Sequence, residues 1–310
     1  VRIIFGAALA GCVLGALAFL PATAAAQDQT EVLMPEQSTA KAKELIRLAD
    51  QALGGSAYFG VRDVVCTGRL GQFGHNGDMM GYEKFIDYEK LPDKDRNENL
   101  PKRNIIEVFN GKEGWLLDRG GVSEQPDDSV SKFQEDQKVD IDNILRDRWK
   151  EPNSILRYMG PDVVDLKEAD WIEYVDSENR SVRIAFAKAT HLPIRKTVVV
   201  RDPGTHLRSE EVEYYSNYHP LQGVMTPFQI TRERNQKKVY QVFFDECKYN
   251  TNPSDSLFTK ASLDERWQQV GKSTIKKQEK QKQKQEEEEK KQQQDDKGGS
   301  SSSSSSSSSN

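Results

Sequence analysis

The chain has 310 residues, a formal net charge of −5, 30% charged and 35% hydrophobic side chains. That balance excludes a protein of many membrane spans and argues against nonspecific nucleic-acid binding. Between a leader-like start and a low-complexity end lies a segment long enough for one large domain with its own core.

The first residues point to export. No charge occurs between Arg2 and Pro21, and Ala24 and Ala26 fit the small-residue rule for signal-peptidase cleavage before Gln27. Residues 1–26 therefore read as a signal peptide, which places the protein in the periplasm. A competing reading is a lipobox, Leu9-Ala10-Gly11-Cys12, which would leave the protein lipid-anchored through Cys12; an uncleaved membrane anchor is a third. Without Cys12 two cysteines remain, Cys66 and Cys247. In an oxidising compartment they either pair as a disulfide or serve as small buried apolar side chains.

Residues 27–40 are polar and mixed, and read as a flexible N-terminus. From 41 to 53 the spacing of Ala42, Leu45, Ile46, Ala49 and Leu53 predicts a helix, which Gly54-Gly55 ends. The period then changes to two, with strands expected over 61–73, 81–90, 103–109 and 113–118, and Asn110-Gly111 as the clearest hairpin turn. Residues 120–128 read as a polar loop. A second helix is expected over 129–150, with Phe133, Ile141, Ile144, Leu145 and Trp149 on one face, and a short helix over 154–159.

A run of strands follows at 163–166, 171–176, 181–187, 194–201, 206–215, 224–232 and 238–250, separated by short breakers such as His191-Leu192-Pro193 and Asn235-Gln236. Short links imply antiparallel neighbours. Alternation puts Val182, Ile184 and Phe186 on one face against Arg183, Ala185 and Ala187; Ile194, Val198 and Val200 share a face against Arg195 and Arg201. One face is thus expected to be covered and the other wet. The expected fold is mainly β within the α+β class: a curved antiparallel half-barrel of about eleven strands with helices over its concave face. The half-barrel domain is expected to span 41–267. The tail, 268–310, is almost entirely Lys, Glu, Gln, Asp and Ser beyond Ile275, and reads as disordered or as a solvated helix.

The sequence contains no G-x-S-x-G, no Walker loop, no G-x-G-x-x-G, no H-E-x-x-H and no C-x-x-C. No two of His75, His191, His206 and His219 have helical ligand spacing, and no carboxylate pair stands out as acid and base. No catalytic residue, metal or cofactor is assigned.

The stretch Asn110-Gly111-Lys112-Glu113-Gly114-Trp115-Leu116-Leu117 before a helix resembles the middle of the outer-membrane lipoprotein-sorting (LolA-like) periplasmic carrier superfamily. The closing pattern is similar too: Tyr215-Ser216-Asn217-Tyr218, Gly223-Val224-Met225-Thr226-Pro227-Phe228-Gln229-Ile230, a last strand to Tyr249-Asn250, then Ser254-Asp255-Ser256-Leu257-Phe258. The resemblance spans residues 41–263. It implies an eleven-stranded half-barrel with a helical lid, an apolar cavity for acyl chains and no catalytic residues. Its expected partners are lipid or lipoprotein acyl chains, an envelope transporter or an outer-membrane acceptor. The arginine that closes such carriers has only Arg69 as a counterpart. Alternatives are an envelope sensor that binds lipid signals and a protein partner, and an enzyme acting on envelope lipids or glycans.

The residue pattern names a cavity lining. Val182, Ile184, Phe186, Val198, Val224, Phe228, Ile230 and Phe243 fall on the apolar phase of the strands, with Phe133, Ile144 and Trp149 as lid. The competing reading of the same residues is a filled core.

Overall fold

The computed structural model describes residues 33–201 and 207–270. The expected signal peptide, the lipobox cysteine and the tail beyond residue 270 lie outside the described residues.

The structure is one open, curved antiparallel sheet of thirteen strands. The first meander is β1 (Asp63–Phe73), β2 (Met79–Lys90), β3 (Lys94–Leu100), β4 (Ile106–Asn110), β5 (Glu113–Asp118) and β6 (Gly121–Glu124). The second is β7 (Ile155–Val164), β8 (Lys167–Val175), β9 (Ser181–Ala187), β10 (Pro193–Arg201), β11 (Arg208–Leu221), β12 (Val224–Arg234) and β13 (Lys237–Tyr249). The spatial order is β6-β5-β4-β3-β2-β1-β13-β12-β11-β10-β9-β8-β7, so the first and last strands pair at the junction of the meanders. Cys66 lies directly opposite Cys247 across that junction, and a disulfide joins them, with Cα atoms 4.1 Å apart.

This order explains the helical break in the middle of the chain. β6 and β7 are the two outer edges of the sheet, so the segment that connects them has to travel back across it. That segment carries α3 (Asp127–Val139), α4 (Ile141–Arg146) and a 3-10 turn, Arg148–Lys150. Two helices and a turn replace the single expected helix, because Asp140 takes an extended conformation between them and caps α4 by accepting from the Asn143 amide.

Helix α1 (Pro35–Leu53) starts inside the segment expected to be flexible. Its polar first turns have a specific partner, the exposed backbone of edge strand β7. Thr39 Oγ1 donates to the Leu156 carbonyl at 3.0 Å, and the Tyr158 amide donates to Ser38 Oγ at 2.9 Å. Covering a sheet edge in this way satisfies groups that would otherwise pair with another chain. The apolar face of α1 (Ala42, Leu45, Ile46, Ala49 and Leu53) is buried in the main core with Ile172, Tyr174, Val182, Ile184, Phe186, Val198 and Val224. A short helix, α2 (Ser56–Phe59), leads from it to β1.

Strands β3 and β6 were not expected, and β7 replaces the short helix expected at 154–159. β3 has the sequence Lys-Asp-Arg-Asn-Glu-Asn-Leu, whose alternation is of charges rather than apolar side chains. Its inward and outward groups are both polar, so a hydrophobic period gives no signal.

The second face of the sheet is not simply wet. Ala169, Ala185, Ala187 and Ile194 form a small core there with Val164 and Trp171. Ile194 leaves the face of Val198 because the β9–β10 register shifts between Pro193 and Arg195. Further along, the 3-10 turn Asp255–Phe258 and a helical segment, 260–270, cover the same face of the first meander. Phe258 and Leu263 are fully buried there against Ile106, Val108 and Leu117.

Candidate ligand cavity

Between the sheet and the α2–α4 cover lies a cavity of about 340 Å3. Its apolar wall includes Leu53, Val61, Val64, Leu91, Leu145, Val224, Ile230, Phe244 and the Cys66–Cys247 disulfide. Of the cavity residues expected from sequence, only Val224 and Ile230 line it. Val182, Ile184, Phe186, Val198 and Ile144 are buried in the filled core beside it, and Trp149 packs against that core with its indole N–H on the Leu145 carbonyl. Phe133 stacks on Phe109 of β4 at 4.6 Å, beside the cavity rather than over it.

Phe228 and Phe243 correct the alternation argument. Phe228 sets its ring edge-on to His219, 5.1 Å between centroids, and does not line the cavity. Phe243 lies beyond a bulge: Thr67 pairs with Glu246 but Gly68 pairs with Phe244, so Asp245 is an extra residue on β13. The bulge reverses the phase, since every residue beyond it changes face. Cys247 and Tyr249 face the cavity on one side of it, Phe244 and Tyr240 on the other. Phe243 turns outward to Tyr82, at 6.4 Å. Arg69 pairs with Asp245 at 3.2 Å, both half-exposed, and does not line the cavity.

The unexpected part of the wall is acidic. Asp87 and Glu89 project into the cavity from alternate positions of β2, and Asp95 of β3 stands directly opposite Glu89. Their carboxylate oxygens lie within 4.8 Å of one another. Like charges placed opposite on adjacent strands repel. Burial, followed by the neighbouring carboxylates, pushes Glu89 and Asp95 well above the usual carboxylate range. Burial raises Asp87 to about 6, even though the Asn97 amide donates to it at 3.0 Å. Asp140, at the start of α4, is also raised to about 6 by burial and by Asp142. An all-oxygen set of this kind suits a hard cation, an ammonium group or shared protons.

The remaining charges are mostly paired. Lys196 bonds Glu213 at 2.7 Å; although burial would raise the Glu213 carboxyl, Lys196 and Arg232 hold it down at about 2. Arg232 also pairs with Glu211, and Lys132 and Asp136 of α3 reach Glu211 and Arg232 at 4.0 and 3.8 Å. This network ties the cover to the sheet beside the cavity. Tyr58 donates to Asp142 at 2.5 Å, and Thr226 and Tyr249 share a hydrogen bond of 2.8 Å. The Arg146 guanidinium lies 4.0 Å over the Tyr58 ring, and its Nε is buried without a hydrogen-bond acceptor.

Sequence reasoning missed Asp87, Glu89 and Asp95. The signal available was Phe85-x-Asp87-x-Glu89, in which two acids share the phase of a buried Phe. Its counterpart on β3 had no apolar period to reveal it.

No family model matches the sequence, and no curated protein does. Solved structures do match. A DUF1329 family protein from Desulfovibrio piger aligns at 14% identity over 72% of this chain and 98% of its own, with a TM-score of 0.52. A candidate outer-membrane lipoprotein-sorting domain from Vibrio parahaemolyticus aligns at 10% identity over 73% of this chain and 99% of its own, with a TM-score of 0.50. The chain shares its fold with the lipoprotein-sorting domains. Its thirteen strands exceed the eleven expected from the resemblance, and no helix among the described residues is long and apolar enough to cross a membrane.

Proposed function

We propose that the protein is a non-catalytic periplasmic carrier or binding protein for a lipid-like ligand, lipoprotein acyl chains included. The observation that carries this reading is the 340 Å3 cavity between sheet and helical cover, with an apolar wall on one side. Its size falls within the range of small-molecule sites, and its place between the sheet and the helical cover suits a greasy molecule. The likeness in fold to a candidate outer-membrane lipoprotein-sorting domain supports the same reading. An exported chain of this kind would meet its ligand in the envelope and hand it to an envelope transporter or an outer-membrane acceptor.

The test is binding of a neutral hydrophobic dye to delipidated protein, compared with Ile230→Trp. Ile230 lines the cavity and is only partly buried, so a larger ring enters the void rather than the filled core. Wild type is expected to bind the dye, and the variant to lose binding by about tenfold or more while keeping its thermal midpoint. Wild type that binds no dye removes the carrier reading.

A further inference from the structure

Two sets of ionisable groups in the cavity wall make no ion pair within 4.0 Å among the described residues. One is Asp87, Glu89 and Asp95, whose oxygens cluster within 4.8 Å and have no ion pair within 4.0 Å. The other is Arg146 of α4. Its side chain is 9% exposed, it lines the same cavity, and its Nε has no acceptor. Asp142, one turn before it, bonds the Tyr58 hydroxyl instead. A buried guanidinium with no bonded anion is costly, and a buried acidic cluster with no cation ionises only at a cost. The other charged side chains on this wall are engaged: Glu213 with Lys196, Lys90 and Lys94 with Asp255, and Asp140 with the Asn143 amide.

We propose that the cavity selects a zwitterionic amphiphile: its ammonium sits against Asp87, Glu89 and Asp95, and its anionic oxygen is held by Arg146. The inference rests on the carrier reading and names the head group of its ligand. A void of this size holds one head group and part of a chain, so both charge sets touch the same molecule. The chain lies along Val64, Val224, Ile230 and Phe244. Tyr58 holds the guanidinium plane from behind, leaving its N–H edge for the ligand. A purely anionic head would satisfy Arg146 and leave the acidic cluster without a cation; a purely cationic head would leave Arg146 buried and unpaired.

The test uses the full chain, delipidated, and single-chain probes of matched length: lysophosphatidylethanolamine, lysophosphatidylglycerol, a fatty acid and an alkylamine. Each competes against the neutral dye. The zwitterion is expected to bind about tenfold tighter than any of the others, the scale of one charge-assisted hydrogen bond in a dry site. Arg146→Gln is expected to reduce the zwitterion to the affinity of the alkylamine. Asp87→Asn with Asp95→Asn is expected to reduce it to that of lysophosphatidylglycerol. The wild-type panel needs no variant to fold. Equal affinity for all four probes, or preference for a singly charged one, overturns the head-group inference and leaves the carrier reading standing. Saturable Ca2+ or Mg2+ binding that Asp87→Asn removes, with no zwitterion preference, also overturns it. Failure of every probe and of the dye overturns both.

Discussion

Burial of Asp87, Glu89 and Asp95 should make the stability of the protein fall as pH rises above their unfolded range. Their protons are held more tightly in the folded chain than in the unfolded one, as are those of Asp50 and Asp140, both raised to about 6 by burial. A carboxyl raised on folding takes stability away as pH rises from its unfolded value through its folded one. Glu213 has the opposite sign: held at about 2, it adds stability above its unfolded value and loses it as the medium becomes more acidic. Urea stability is therefore expected to rise on going from about pH 8 to about pH 5 and to fall below about pH 4. The charges outside the triad that raise it further are Glu107 on β4, Asp140 at the N-cap of α4 and Asp142 on α4; the cations of the same wall, Lys90, Lys94 and Arg146, do not outweigh burial. Asp87→Asn with Glu89→Gln should flatten the upper part of the profile; an equally steep profile in that variant would place the effect elsewhere.

At the scale of elements, the bulge at Asp245 decides which aromatic ring faces inward. Phe244 packs edge-on to the buried Phe85 at 6.1 Å, whereas Phe243 meets the exposed Tyr82. Phe244→Ala is expected to cost about 3 kcal/mol and Phe243→Ala about 1 kcal/mol or less, measured by urea unfolding. Regular alternation without the bulge would give the reverse order. The same junction carries the Cys66–Cys247 disulfide, 181 residues apart in sequence. It closes nearly the whole domain, so Cys66→Ser with Cys247→Ser is expected to lower stability by up to about 5 kcal/mol. Reduction of the wild type with dithiothreitol should give the same shift; an unchanged midpoint would show the thiols to be free.

The described residues form a sheet covered on two sides by the segments that flank it and by the connection between its meanders. α1, α3 and α4 lie on one face, and residues 255–270 cover part of the other. Removal of residues 271–310 is expected to leave the thermal midpoint within about two degrees, because their sequence has almost no apolar side chain to bury. Truncation after residue 254 exposes Ile106, Val108 and Leu117 and is expected to abolish cooperative unfolding. A large loss on the shorter truncation would mean that the tail packs.

The local period of two was enough to find the strands from β8 to β13 and the antiparallel class, since one face of these strands carries the larger apolar side chains, as Val182, Ile184 and Phe186 report directly. The helical face of α1 was legible for the same reason. What the period could not carry was anything that depends on pairing. The bulges at Asp245 and at Pro193 reverse facing without changing composition, so Phe243 and Ile194 were read on the wrong side. β3 stayed hidden because its side chains are charged on both faces, and Ser38 and Thr39 looked solvated because their partner is an edge strand about 120 residues away. The cavity itself was decided by tertiary structure alone. It lies where the returning α3–α4 connection meets the β1–β13 junction, and the residues that line it come from distant segments that no window of sequence contains together.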